Sequence, residues 1–123
     1  MGYDLVVQAL LENAPVDLSN LPSDQRKNFD DSAEDLRERN FYLEAAKIFS
    51  MTGNREKLLD LGRDCLKNKN LGVAFFAFNA AKEKGGLNKT GEEFLKVPDV
   101  KAALSCFEAA ENVMMVSFLK ENF

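Results

Sequence analysis

Residues 58–81, LLDLGRDCLKNKNLGVAFFAFNAA, carry an apolar pattern that recurs along the chain with a period of 29 residues. Within this stretch Ala74 is followed four residues later by Phe78, and the same step is found in Ala45–Phe49 and Ala103–Phe107. Further positions share the register: Phe29, Leu58 and Leu87; Ala33, Gly62 and Gly91; Leu36, Cys65 and Phe94; Thr52, Ala81 and Ala110. Self-similarity at a fixed period of about 20–50 residues is typical of stacked repeat units.

Each repeat is predicted to be a pair of α-helices. In residues 58–65 and again in 74–81 the apolar side chains stand three or four residues apart, which is the spacing of one helix face. The short polar turn between the two segments makes them antiparallel neighbours. No segment has the alternation of a strand. We therefore expect one all-α domain over residues 1–123. It consists of an N-terminal helix and loop (1–22), three helix pairs (23–54, 55–86 and 87–112) and a C-terminal helix (113–123).

Local signals give the expected helix ends. Gly85-Gly86 is expected to end the fifth helix, which begins at about Leu71, because glycine commonly follows a helix end. Thr90 and Glu93 have the spacing of a capping box, which places the start of a short sixth helix there. Pro98 is expected in the first turn of the seventh helix. In the first helix, about residues 3–13, the expected apolar stripe consists of Leu5, Val6, Ala9 and Leu10.

The repeat resembles the tetratricopeptide (TPR) family. Leu58-x-x-Leu61-Gly62-x-x-Cys65 followed by Ala74-x-x-x-Phe78-x-x-Ala81 is similar to that family's bulky–Leu–Gly–bulky and Ala–Phe–Ala pattern at the same offsets. The period departs from the family's, which is about 34 residues, and the shortened joint resembles the helical repeats of coatomer and clathrin-type coat subunits. The family's proline near the end of the second helix is replaced by Lys57, Gly86 and Met115. The resemblance covers residues 26–123 and implies a TPR-like α-solenoid, a right-handed superhelix of antiparallel helix pairs with seven or eight helices.

Composition and charge exclude several classes of protein. The net charge is −4, which disfavours nucleic-acid binding because that depends on basic surfaces. No apolar run approaches the length of a membrane span, so we expect no membrane insertion. No signal peptide is expected, and Cys65 and Cys106 lie in apolar patterns, which is typical of reduced, buried thiols in a cytoplasmic protein. Histidine is absent, so the commonest general base and zinc ligand is missing. We expect no enzyme activity, no cofactor and no metal.

Three groups of residues have a functional interpretation that the sequence disfavours. Residues 85–91, GGLNKTG, resemble a phosphate-binding loop, but Asn88 rather than glycine precedes the Lys-Thr pair and no strand comes before it. The acidic residues of 30–38 lack the spacing of a calcium loop and are expected to form a solvated helix face. Phe75, Phe76 and Phe78 are expected to pack in the core rather than line an apolar ligand pocket.

The resemblance implies a non-enzymatic scaffold or protein–protein interaction module, which binds a protein or peptide along the superhelix. In TPR-like folds the exposed side of the first helix of each pair lines the inner wall. The matching positions are Asp30, Glu34, Arg37, Glu56, Leu59, Arg63, Lys67, Asn88, Glu92 and Lys96. Two alternatives stay open. One is a structural segment of a coat or trafficking assembly, and the other is a small-ligand sensor that uses the Phe-rich interior.

The C-terminal helix predicts a contact surface. In the 29-residue register Val116 and Leu119 occupy the packed positions, whereas Met114 and Phe118 point away from them. Terminal repeats need a polar outer face, and exposed apolar clusters usually mark contact sites. We expect this end, with candidate residues Met114, Met115 and Phe118, to contact a second copy in a homodimer, another partner or further sequence. The alternative is that the N-terminal helix or loop covers it.

If the C-terminal helix forms a homodimer, light scattering should show a dimer in the wild type and a monomer in the variant Met114→Lys/Phe118→Lys. Introducing lysine at two apolar contact positions removes the apolar area that drives association. A wild type that stays monomeric at high concentration, together with a double variant that loses stability, would show that these side chains are internal.

Overall fold

The structure, a computed structural model, describes residues 2–13 and 15–123, which form eight α-helices and no strand. The helices are α1 (Gly2–Glu12), α2 (Ser23–Glu38), α3 (Tyr42–Thr52), α4 (Arg55–Lys67), α5 (Leu71–Ala80), α6 (Lys84–Lys96), α7 (Val100–Ala109) and α8 (Val113–Asn122). The all-α expectation is confirmed. Within the described residues no helix is both long and apolar enough to cross a membrane. Ala14, in the loop expected after α1, lies outside the described residues.

Helix starts and helix-ending turns recur at the spacing of the sequence pattern. The starts of α4, α6 and α8 are each 29 residues apart, and so are those of α3, α5 and α7. After α3, α5 and α7 a backbone N–H donates to the carbonyl oxygen five residues earlier, in Asn54→Phe49, Glu83→Phe78 and Asn112→Phe107, each at 2.9 Å. The residue before each donor (Gly53, Lys82 and Glu111) has a positive φ. This is the Schellman-type closure in which a left-handed residue ends the helix.

The turns after α2, α4 and α6 share one recurring hydrogen bond. The N–H groups of Phe41, Asn70 and Asp99 donate to the carbonyl oxygens of Leu36, Cys65 and Phe94 at 2.8, 2.8 and 2.7 Å. Asn40 and Lys69 have positive φ in the first two turns. Pro98 stands at the third position, where its ring excludes a positive φ, so this turn closes with a different backbone path.

Residues Met1–Leu58 form one compact unit. In it α2 and α3 pack together and α1 packs against both. Val7 is buried whereas Leu5, Val6 and Ala9 are exposed, so the expected stripe of Leu5, Val6, Ala9 and Leu10 is wrong except at Leu10. The helix instead turns Val7, with half-buried Leu10 and Leu11, inward. The N–H of Leu18 donates to the carbonyl oxygen of Met51 at 2.8 Å and ties the loop after α1 to the end of α3.

Residues Leu59–Phe123 form a second compact unit, in which α5 packs on α6, α6 on α7 and α7 on α8. Ala74 and Ala103 are completely buried here, as Ala45 is in the first unit. Phe107 packs in a cluster with Ala103 and Leu119 between α7 and α8. These contacts place the recurring alanines and phenylalanines in the cores.

Two of the expected helix ends are wrong. Gly85 and Gly86 lie inside α6, which starts at Lys84, and α5 already ends at Ala80. The physical reason is packing: a Cβ on Gly86 would lie 2.3 Å from Cδ1 of Phe78, so the glycine lets the ring approach the helix backbone. Thr90 is not a cap; it is buried in the middle of α6, where its hydroxyl donates to the Gly86 carbonyl oxygen at 2.8 Å.

The seventh helix also starts later than expected. It begins at Val100, and Pro98 precedes it rather than standing in its first turn. Asp99 caps the helix, since its carboxylate accepts the N–H of Ala102 at 3.0 Å. Asn54 and Asn112 cap α4 and α8: their side-chain oxygens accept the N–H groups of Lys57 and Met115 at 3.1 and 3.2 Å.

We expect Gly86→Ala to lower the free energy of unfolding by about 1–3 kcal/mol, because Phe78 is buried and has to shift. Gly72→Ala is the matched control. Gly72 is also helical, but a methyl group added to it would meet nothing within 4 Å, so this substitution should raise the free energy of unfolding by up to about 1 kcal/mol. Urea unfolding followed by circular dichroism measures both, and equal stability of the two variants would contradict the packing argument.

Candidate functional site

A groove of about 400 Å³ lies between α4 and α6 in the second unit. Its rim carries exposed cationic side chains, and Phe78 forms a buried floor together with half-buried Leu66. The cations are Arg63, Lys67, Lys69 and Lys89, and the carboxylates are Glu83 and Glu93. The groove therefore has an excess of positive charge, although the chain as a whole has a net charge of −4.

Both carboxylates of the groove are engaged by groups of the protein. Glu93 accepts hydrogen bonds from the ammonium groups of Lys69 and Lys96 at 2.9 and 3.1 Å. The hydrogen bond from Lys69, followed by that from Lys96, lowers the pKa of the Glu93 carboxyl, so it stays ionised. Glu83 caps α6 by accepting the N–H of Gly85 at 3.1 Å. Two ammonium groups therefore compensate the charge of Glu93, and Glu83 is held in place as a helix cap.

Arg63, Lys67 and Lys89 are the uncompensated cations of the groove. Their side chains form no ion pair or hydrogen bond with any residue in the described part of the chain. Arg63 and Lys67 are one helical turn apart on α4 and therefore share a face. Lys89 stands on α6, on the other side of the groove. The arrangement is suited to holding an anionic group, since three cations surround one cleft.

The sequence predicted two of the four cations that line the groove. Arg63 and Lys67 were expected on the inner wall, and the structure brings them together in the groove. Lys69 and Lys89 were missed. Lys89 was placed in a turn because Gly85-Gly86 was expected to end a helix. The 29-residue register contained the correct signal, since it carries the α4 start at Arg55 to an α6 start at Lys84.

Asp30 and Asn88, both expected on the inner wall, are engaged in internal hydrogen bonds. The Asp30 carboxylate accepts the Thr52 hydroxyl at 2.6 Å and the Asn54 amide at 2.9 Å. Asn88 accepts the amide of Asn112 at 2.9 Å. The contacts donated by Asn54 and Asn112 are separated by two 29-residue periods along the chain. Each joins a helix to the turn that follows the next helix.

The other predicted residues are spread more widely. Glu34 lies 3.6 Å from the Lys57 ammonium, and Lys96 bonds to Glu93. Glu56 and Glu92 are exposed, and Leu59 and Arg37 are half-buried. On α8, Met114 and Phe118 are 83% and 52% exposed, and Met115 is half-buried. Self-association through α8 stays a prediction.

Cys65 and Cys106 are buried free thiols, and burial raises the pKa of the Cys106 thiol to about 11, which keeps it protonated at neutral pH. Residues 2–13 and 15–123 contain no group of three or more His, Cys, Asp or Glu side chains that could hold a metal ion. On α2, exposed Asp31 and Asp35 pair with Lys27 and Arg39.

Comparisons with known proteins do not assign the chain to a family. No family model, no curated protein and no solved structure matches it. The function is therefore inferred from the groove and the helices around it.

We expect Asp30→Ala to lower the free energy of unfolding by about 1–3 kcal/mol, because it removes the main acceptor of the buried Thr52 hydroxyl. Asp31→Ala is the matched control on the same helix. Asp31 makes only an exposed ion pair with Lys27, which contributes little to stability. Thermal and urea unfolding of both variants test this assignment, and similar midpoints for the two would show that Asp30 has no structural role.

Proposed function

We propose that the chain is a non-enzymatic protein-interaction module with a TPR-like helical-repeat fold, and that it binds a short peptide segment in the groove between α4 and α6. The observation that carries this proposal is the set of uncompensated cations Arg63, Lys67 and Lys89 above an apolar floor. The groove volume of about 400 Å³ lies within the range of about 300–1,000 Å³ that is typical of ligand sites.

The recurring backbone geometry supports the repeat fold. Helix starts and helix-closing hydrogen bonds return every 29 residues, which is the behaviour of units built on one template. Stacked helix pairs in such folds form extended concave surfaces that are used for binding. A right-handed superhelix is the arrangement that we propose for these units.

Packing of the phenylalanines favours a peptide module over a sensor with an interior ligand. Phe49, Phe78 and Phe107 are at most 2% exposed. Rings of Phe78 and Phe107 lie against helix backbone at Gly86 and Gly91, where even a methyl group would collide with them. The rings therefore fill the space that an interior ligand would need.

Selection from a random phage-displayed peptide library on the full chain tests the proposed function. We expect enriched peptides whose addition shifts amide NMR signals of α4 and α6 and leaves those of α7 unchanged. Scrambled versions of the enriched peptides serve as controls. Failure to enrich any peptide above background, or shifts confined to other helices, would contradict the proposed function.

A further inference from the structure

The 29-residue repeat explains why the charge of Arg63 is uncompensated. Glu34 and Arg63 are 29 residues apart, and so are Lys57 and Gly86. In the first unit Glu34 and Lys57 face each other at 3.6 Å. In the second unit the same two positions hold Arg63 and Gly86, and both line the groove. Arg63 thus stands where the first unit has the acidic Glu34, and Gly86, which has no side chain, stands where it has Lys57.

This substitution produces a cleft and a free cation at one place. Gly86 contributes only backbone to the groove, so no side chain occupies the space that Lys57 takes in the first unit. Arg63 remains without a counter-ion, and Lys67 and Lys89 add to the positive charge. An isolated cation cluster is costly in electrostatic repulsion, so an anionic occupant stabilises the site.

We propose that the bound segment carries an Asp or Glu side chain next to a bulky apolar residue. This inference rests on the proposed function. The carboxylate is held by the planar guanidinium of Arg63, which suits bidentate pairing, and by Lys67 and Lys89. The neighbouring apolar side chain covers half-buried Leu66 at the floor of the groove. The partner is thus an acidic–apolar peptide of another protein.

Charge distinguishes this occupant from a nucleic acid. Nucleic-acid binding draws on many phosphate contacts and on a basic surface. Here three free cations lie in one groove of a chain with net charge −4, so a long polyanion would meet repulsion beyond the groove. A short segment with one or two carboxylates suits a groove lined by four cations and two carboxylates.

Two pools of short synthetic peptides test the proposal on the full chain. In the carboxylate pool Asp or Glu stands next to Leu, Ile, Met or Phe, and in the amide pool Asn or Gln replaces the acid at the same place. We expect the carboxylate pool to shift the α4 and α6 amides and to bind about tenfold or more tightly than the amide pool, because a charge-assisted contact is lost in the latter. This preference should weaken at high salt.

A charge-matched pair of variants locates the site. Arg63→Glu/Lys89→Glu reverses two cations of the groove, and Lys101→Glu/Lys120→Glu makes the same change in net charge at exposed residues outside it. All four side chains are exposed, so both variants should retain the circular dichroism of the wild type. We expect the groove variant to lose at least about tenfold in affinity for the carboxylate pool, and the control variant to bind like the wild type.

The outcomes separate this inference from the proposed function. Equal binding of both pools at α4 and α6, or equal loss in the two variants, would overturn the acidic–apolar partner while leaving peptide binding in place. If neither pool nor any phage-selected peptide binds at the groove, both proposals are wrong. Binding of a single-stranded oligonucleotide that the groove variant abolishes, without peptide binding, would overturn the class of partner.

Discussion

The contact between the Phe78 ring and the backbone of Gly86 is the constraint on which the second unit depends. A Cβ at Gly86 would lie 2.3 Å from the ring, and one at Gly62 would lie 3.1 Å from it. The ring therefore holds α5 against both α4 and α6. Phe107 makes a similar contact with Gly91, where a Cβ would lie 2.8 Å from the ring. The recurring glycines thus let neighbouring helices approach closely, with a phenylalanine ring packed against each glycine.

Much of the fold could be predicted because repeat register and local chemistry agree in most places. Asn54 caps α4 and Gly53 ends α3, and asparagine and glycine are favoured at these positions. The prediction failed where the two signals disagreed. Gly85-Gly86 has the local character of a helix end, but the register places it in the first turn of α6. Packing against Phe78 decided in favour of the register, since burial of an aromatic side chain outweighs the helix propensity lost at a glycine, about 1 kcal/mol.

The groove could be predicted only in part, because exposed polar side chains look alike in a sequence. Arg63 and Asp30 were both expected on the inner wall. Asp30 instead bonds to Asn54, which is 24 residues further along the chain, and such a contact depends on how neighbouring helices approach. Lys89 was missed for a related reason, since its place beside Arg63 follows from where α6 begins.

One glycine links core and groove. Position 86 has to be glycine because a side chain there would collide with Phe78. Because glycine has no side chain, the groove beside Arg63 stays open. In the first unit the matching position is Lys57, whose ammonium lies 3.6 Å from Glu34. The residue at this position either neutralises the charge of the residue opposite, as Lys57 does for Glu34, or leaves that charge free to bind a partner. Because core packing selects glycine in the second unit, the charge of Arg63 has to be neutralised by solvent ions or by a partner. Recognition in this proposal is thus a consequence of how the second unit packs.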